Sequence, residues 1–216
     1  MRQVYTAAML GSLIMLVSPA PAYAHADFIR SAPANGSTVA KAPTFVRLTF
    51  NEPVTIDSAK ILDSTGATVP SSSAMNGAVL TLTPASPLRA GITTAEFSVT
   101  SDDGHQVDGA IAFIVGKPGV RGTAQSVVTS PSVTTRLNGS RPGALTLTFA
   151  NKAASGEVVW TSPGIDGLLS WPVRARGKAS DASGVLPFAG VWTMRATLVS
   201  AKGSVVITSG TATLNP

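Results

Sequence analysis

Short runs in which apolar and polar side chains alternate, each closed by Gly or Pro, constrain this chain more than any other feature. In "VRLTF" the residues Val46, Leu48 and Phe50 share one face. "TTAEFSVTS" aligns Ala95, Phe97 and Val99, and "DGAIAFIV" aligns Ile111, Phe113 and Val115. A period of two belongs to a strand with one buried face, because successive side chains leave a strand on opposite sides. "AVLTLTP" is a further strand, ended by Pro84, and "SAPANGST" and "SPLRAG" supply turns. No long segment carries the helical period, and 20 Gly and 15 Pro with only 12% charged residues fit an all-β chain rich in turns.

The alternation lapses in "GKPGVRGTAQS" and resumes in "ALTLTF", "GEVVW", "VWTMRATLV" and "SVVITSGTATL". The expected fold is therefore two immunoglobulin-like β-sandwiches, or Greek-key barrels, in tandem: residues 25–117, a linker at 118–126, and residues 127–216. The second half holds Trp160, Trp171 and Trp192, read as core anchors, and contains no His and no Cys. Met194 shares the parity of Trp192 and belongs with that core.

Residues 1–24 read as a cleaved signal peptide. Arg2 gives a positive start, "AAMLGSLIMLV" an apolar core, and Ala22 and Ala24 the A-x-A cleavage pattern. That core is too short to span a bilayer, which takes about 20 residues, and the mature chain has no transmembrane segment by the same criterion. The expected location is periplasmic or secreted. A cut after Ala26 also satisfies the pattern and would discard His25; the cut after Ala24 is preferred because it leaves His25 as the first residue.

Charge is uneven. Residues 25–119 carry six basic and eight acidic side chains, net −2, whereas residues 120–216 carry nine basic and three acidic, net +6. A solvated surface is the plain reading of the basic half, and an anionic membrane surface or acidic partner the sharper one. No Lys/Arg run of the kind that grips nucleic acid occurs, so no nucleic-acid partner is expected.

The chain has 2 histidines, His25 and His105. His105 lies in "SDDGHQVDG", where Asp103 is two residues away and shares its face in an extended segment, and Gly104 allows a close turn. Alone, this motif reads as an Asp-Gly turn beside a solvated histidine. An N-terminal His25 adds an α-amine and an imidazole that chelate together. With Asp103 and His105 the set becomes three nitrogens and one oxygen, which suits tetragonal Cu(II). Zinc accepts such ligands too, though it usually takes a tetrahedral site.

"HADFIRSAPANGSTVAKAPTFVRLTFNEPV", followed by "SDDGHQVDGAIAFIV", resembles the CopC family of exported copper-binding proteins over about residues 25–117. The resemblance implies Cu(II) ligation by His25, Asp103 and His105, with Glu52 of "FNEPV" as an axial or neighbouring carboxylate. It implies a copper chaperone or buffer serving tolerance or delivery, no enzyme activity, and a membrane copper transporter of the CopD type as partner. Some members add a methionine-built Cu(I) site; here only Met75, read as a loop residue, and Met194 survive signal removal. "GLLSWPVRARG" and "VLPFAGVWTMRATLV" faintly resemble the YtkA-like sandwich and imply a fold without ligands. The alternative function is a copper-dependent monooxygenase with an N-terminal histidine brace. Asp103 would fill the position such an enzyme keeps open for oxygen, and the mature first half has no Trp or Tyr to form a polysaccharide-binding face.

Overall fold

The computed structural model describes residues 26–116, 124–125, 133–137 and 143–214. The signal-peptide reading and His25 lie outside them, as does all of the expected linker except Ala124 and Gln125. Every regular element among the described residues is a strand. In the first half these are β1 (Phe28–Ala32), β2 (Thr38–Val39), β3 (Val46–Phe50), β4 (Val54–Leu62), β5 (Thr68–Val69), β6 (Ser71–Asn76), β7 (Val79–Pro84), β8 (Gly91–Ser101) and β9 (Gln106–Val115). In the second half they are β10 (Ala124–Gln125), β11 (Val133–Leu137), β12 (Ala144–Phe149), β13 (Ser155–Thr161), β14 (Leu169–Pro172), β15 (Arg174–Arg176), β16 (Ala179–Val185), β17 (Gly190–Val199) and β18 (Val205–Leu214).

Sheet β1-β3-β7-β6 packs on β4, β8 and β9, and the inward residues are those the alternation selects: Val46, Leu48, Phe50, Ala95, Phe97, Val99, Ile111, Phe113 and Val115 are all buried. Sheet β11-β12-β16-β15 forms one layer of the second half, and β18-β17-β13-β14 the other. Trp160, Trp171 and Trp192 are buried between them with Met194. The Trp192 indole N–H donates to the Phe188 carbonyl at 3.1 Å.

The two halves share one sheet of ten strands, whose path runs β18-β17-β13-β14-β9-β8-β4 through the middle of the molecule. β14 lies parallel to β9 with Leu169 opposite Ala110, and the Ala110 N–H donates to the Leu168 carbonyl at 2.7 Å. Asn35 extends this short junction with its side chain. Its Nδ2 donates to the Ser170 carbonyl at 3.0 Å, and its Oδ1 accepts from the Ala112 N–H at 3.0 Å. The amide thus replaces a missing rung of ladder between the halves. Gly167 makes the approach feasible, since a Cβ there would stand 2.5 Å from the Gly109 carbonyl oxygen. Beside the junction, Lys60 Nζ bridges Glu96 at 3.1 Å and Asp166 at 2.6 Å.

This junction corrects one expectation. β8 and β9 are not strands with one buried face; their outer residues Ile92, Ala110, Ala112 and Ile114 are buried with the tryptophan core of the second half. Glu96 is caught in the same layer, where burial raises its carboxyl pKa above the ordinary value even with Lys60 as partner. A second correction concerns Met75. "SSSAMNGA" forms strand β6 rather than a loop, because its polar residues sit on a sheet edge while Met75 packs on the first core. Among the described residues the two methionines belong to separate cores.

Candidate metal centre

Residues 26–28 are anchored at one end of the first sandwich. Ala26 is buried in the core, and Phe28 closes an aromatic triangle with Phe50 and Phe97, ring centroids 5.4 to 6.2 Å apart. Between them Asp27 is clamped to Asn51. Its N–H donates to Asn51 Oδ1 at 2.7 Å and its carbonyl accepts from the Asn51 N–H at 3.1 Å. Glu52 follows Asn51 on the crossover from β3 to β4. Asn51 carries no donor that its residue type would advertise as a ligand, and its anchoring role is invisible in the sequence.

At the same end, β4 pairs with β8 so that Val54 stands opposite Ser101. The turn after β8 carries Asp103 and His105. The Gly104 N–H donates to the Ser101 carbonyl at 2.9 Å, the Ser101 N–H to the His105 carbonyl at 3.0 Å, and Gly104 has φ 84°. Only glycine enters that region cheaply. The segment is a tight turn, not the extended stretch that would put Asp103 and His105 on one face. The turn nevertheless brings them together, with His105 Nδ1 2.9 Å from Asp103 Oδ2.

The carboxylate is oriented by its other oxygen. Asp103 Oδ1 accepts from the buried Ser101 hydroxyl and from the His105 N–H at 3.2 Å. The Ser101 hydroxyl hydrogen bond is the main cause that lowers the Asp103 pKa to about 2, followed by the His105 N–H and the imidazole. A carboxylate held ionised in this way is a ready donor for a cation. Ser101 was not among the residues the sequence singled out; its place two before Asp103 is the signal of a hydroxyl serving an Asp turn.

Glu52 is half-buried, and its Oε1 is buried without a hydrogen-bond partner among the described residues. A buried carboxylate oxygen without a donor is costly, and a cation would satisfy it. Among the described residues no three His, Cys, Asp or Glu side chains form a metal-sized group; the set with His25 extends beyond them. The first half thus brings Asp103, His105 and Glu52 to the end of the sandwich that holds Ala26 and Asp27.

Residues 28–116 are a CopC domain by family comparison. Over 111 residues the chain is 32% identical to "Copper transport protein CutJ" of Bacillus subtilis (strain 168), a match covering 49% of this chain and 20% of that protein. The chain therefore spans about a fifth of that relative's length. Among solved structures it is similar to CopC from Methylosinus trichosporium OB3b, at 30% identity and TM-score 0.40, covering 45% of this chain and 100% of that one. It is also similar to PcoC, a methionine-rich copper resistance protein from Escherichia coli, at 27% identity and TM-score 0.39, covering 43% and 99%.

Proposed function

We propose that this chain is an exported Cu(II)-binding protein, a chaperone or buffer, whose cargo is held by the His25 amine and imidazole, Asp103 and His105, with Glu52 alongside. The observation that carries the reading is the Asp103–His105 pair. Two donors bound at about 2.0 Å and at right angles on one metal stand roughly 2.8 Å apart. The Nδ1 to Oδ2 separation is 2.9 Å, so a metal that displaces the proton between them could take both atoms along one edge of a tetragonal site. His25 is included because it is bonded directly to Ala26, which is buried in the first core.

The donor chemistry fits copper in its oxidised form. Three neutral nitrogens and one carboxylate leave Cu(II) positive, and Glu52 offsets the remainder. Binding, not catalysis, is the function this supports, since a carboxylate at the fourth position leaves no open equatorial site for oxygen. A copper transporter of the CopD type in the membrane, reached from the periplasm or cell surface, is the partner proposed with it.

The test is His105→Ala. Loss of an equatorial nitrogen is expected to weaken Cu(II) by about 100-fold, since even partners one layer out from a metal are worth 10–100-fold. It should also change the copper paramagnetic spectrum. An unchanged spectrum and affinity would remove His105 from the site.

Acid should release the metal through the nitrogens alone. The depressed Asp103 carboxyl contributes stability that is complete above its ordinary value near 3.8 and disappears only as pH falls through about 2. The ligand nitrogens must instead be unprotonated, and a free α-amine holds its proton below about pH 7.7–8.0. Cu(II) affinity should fall steadily from pH 8 to pH 5 while Asp103 stays ionised. A flat profile over that range would contradict a three-nitrogen site.

A further inference from the structure

The far end of the second half carries a cationic pole with an apolar strand beside it. Three loops meet there. In loop 150–154 the Ala153 N–H donates to Ser180 Oγ at 2.7 Å and the Ala154 N–H to the Val199 carbonyl at 2.7 Å. Those bonds tie it to the β15–β16 turn on one side and the β17–β18 turn on the other. The loops read "ANKAA", "RGKA" and "SAKGS", so each offers a lysine and none an acid. Lys152, Lys178 and Lys202 are all exposed. Of the acids of the second half, Asp166 is paired with Lys60 and Glu157 bonds Ser170, while Asp181 adjoins the pole with its charge paired to Arg176 at 2.8 Å.

Directly after the third loop, β18 opens with Val205, Val206 and Ile207, exposed by 58%, 40% and 53%. Three consecutive large apolar residues on both faces of a strand are not explained by a core. Scattered single apolar residues on a surface need no explanation, whereas a contiguous set rimmed by charge marks a contact surface.

We infer that this pole docks on an anionic phospholipid bilayer, with the lysines on the headgroups and Val205, Val206 and Ile207 entering the interface. The two features together select the partner. Lysines alone would serve any polyanion, but a soluble polyanion offers nothing for the apolar strand, whereas a bilayer supplies an anionic plane over an apolar layer. The orientation turns the metal end away from the bilayer, so metal would pass to a membrane transporter only from the undocked chain. β14 runs parallel to β9 and β13 antiparallel to β14, so the loop preceding β13 lies toward the Val115 end of the shared sheet. His105 precedes the opposite end of β9, and a protein seated on this pole presents it to the aqueous side.

The experiment uses the mature full chain and sedimentation with large vesicles of phosphatidylcholine, with or without phosphatidylglycerol. The chain has no Cys, so Ser204→Cys on the exposed third loop accepts a single environment-sensitive fluorophore. Binding should require phosphatidylglycerol and weaken with salt. Changing Lys152, Lys178 and Lys202 together to Gln should lower it by about a hundredfold, at about fivefold per lysine near the surface. The label should shift to the blue on binding, and Val205→Ser with Ile207→Ser should abolish the shift. All five positions are exposed, so melting temperatures should match the parent. Equal binding to both vesicle types, or full binding by the triple lysine variant, would overturn the inference. So would binding that inorganic polyphosphate displaces and that leaves the label unshifted, which would assign the lysines to a soluble polyanion.

Discussion

Protein that retains a methionine before His25 is expected to bind Cu(II) about 1000-fold or more weakly than protein beginning at His25. One added residue turns the α-amine into an amide, which removes a neutral nitrogen donor and breaks the small chelate ring shared with the imidazole. Each loss is at least on the scale of 10–100-fold known for far more distant perturbations of metal sites. The structure sharpens the expectation, because Ala26 is buried and Asp27 is clamped to Asn51. The chain cannot slide to offer a different nitrogen at the same place. A form preceded by Gly separates the loss of the amine from any effect of the methionine thioether, and it should be as weak. Superimposable titration curves for the processed and extended proteins would show that the amine is not a ligand.

Cutting the chain after residue 117 is expected to leave a poorly folded, aggregating fragment, although every proposed ligand lies within residues 25–117. The outer face of β4, β8 and β9 would expose Leu62, Ile92, Ala110, Ala112 and Ile114, all buried in the intact protein against the second core. Burying one Leu or Ile is worth about 1.5–3 kcal/mol, so losing Leu62, Ile92 and Ile114 to water costs on the order of 5 kcal/mol. A whole domain is stable by only about 5–15 kcal/mol. The fragment should bind a hydrophobic dye and melt well below the full chain. Ile92→Thr with Ile114→Thr should improve the fragment, because the exposed face becomes polar. In the full chain the same pair should destabilise, because it buries two hydroxyls in an apolar layer. A fragment that is monomeric and melts with the full chain would show that the shared sheet contributes little. The copper affinity of the improved fragment then tests whether the second half matters to the site.

The alternation in "VRLTF", "TTAEFSVTS" and "DGAIAFIV" determined which side chains face the first core, because the pleat of a strand fixes parity locally. The parity and size of Trp192 and Met194 determined the second core in the same way. The turn at Asp103, Gly104 and His105 was legible because a short polar side chain and a glycine dictate a local backbone bond pattern. What covers the other face of β8 and β9 was not local. The near-continuous apolar run "GAIAFIV" hinted at burial on both sides. Only the fold shows that Leu169 reaches Ala110 and that Asn35 bonds across to Ser170. The same holds for the metal end. Ala26 with Asp27, Asn51 with Glu52, and Ser101 are three groups far apart in sequence, and no short-range period links them. Strand pairing of β1 with β3 and of β4 with β8 brings them to one end of the sandwich. Parity is a property of neighbouring residues, whereas the surface a face meets depends on which distant strand pairs beside it.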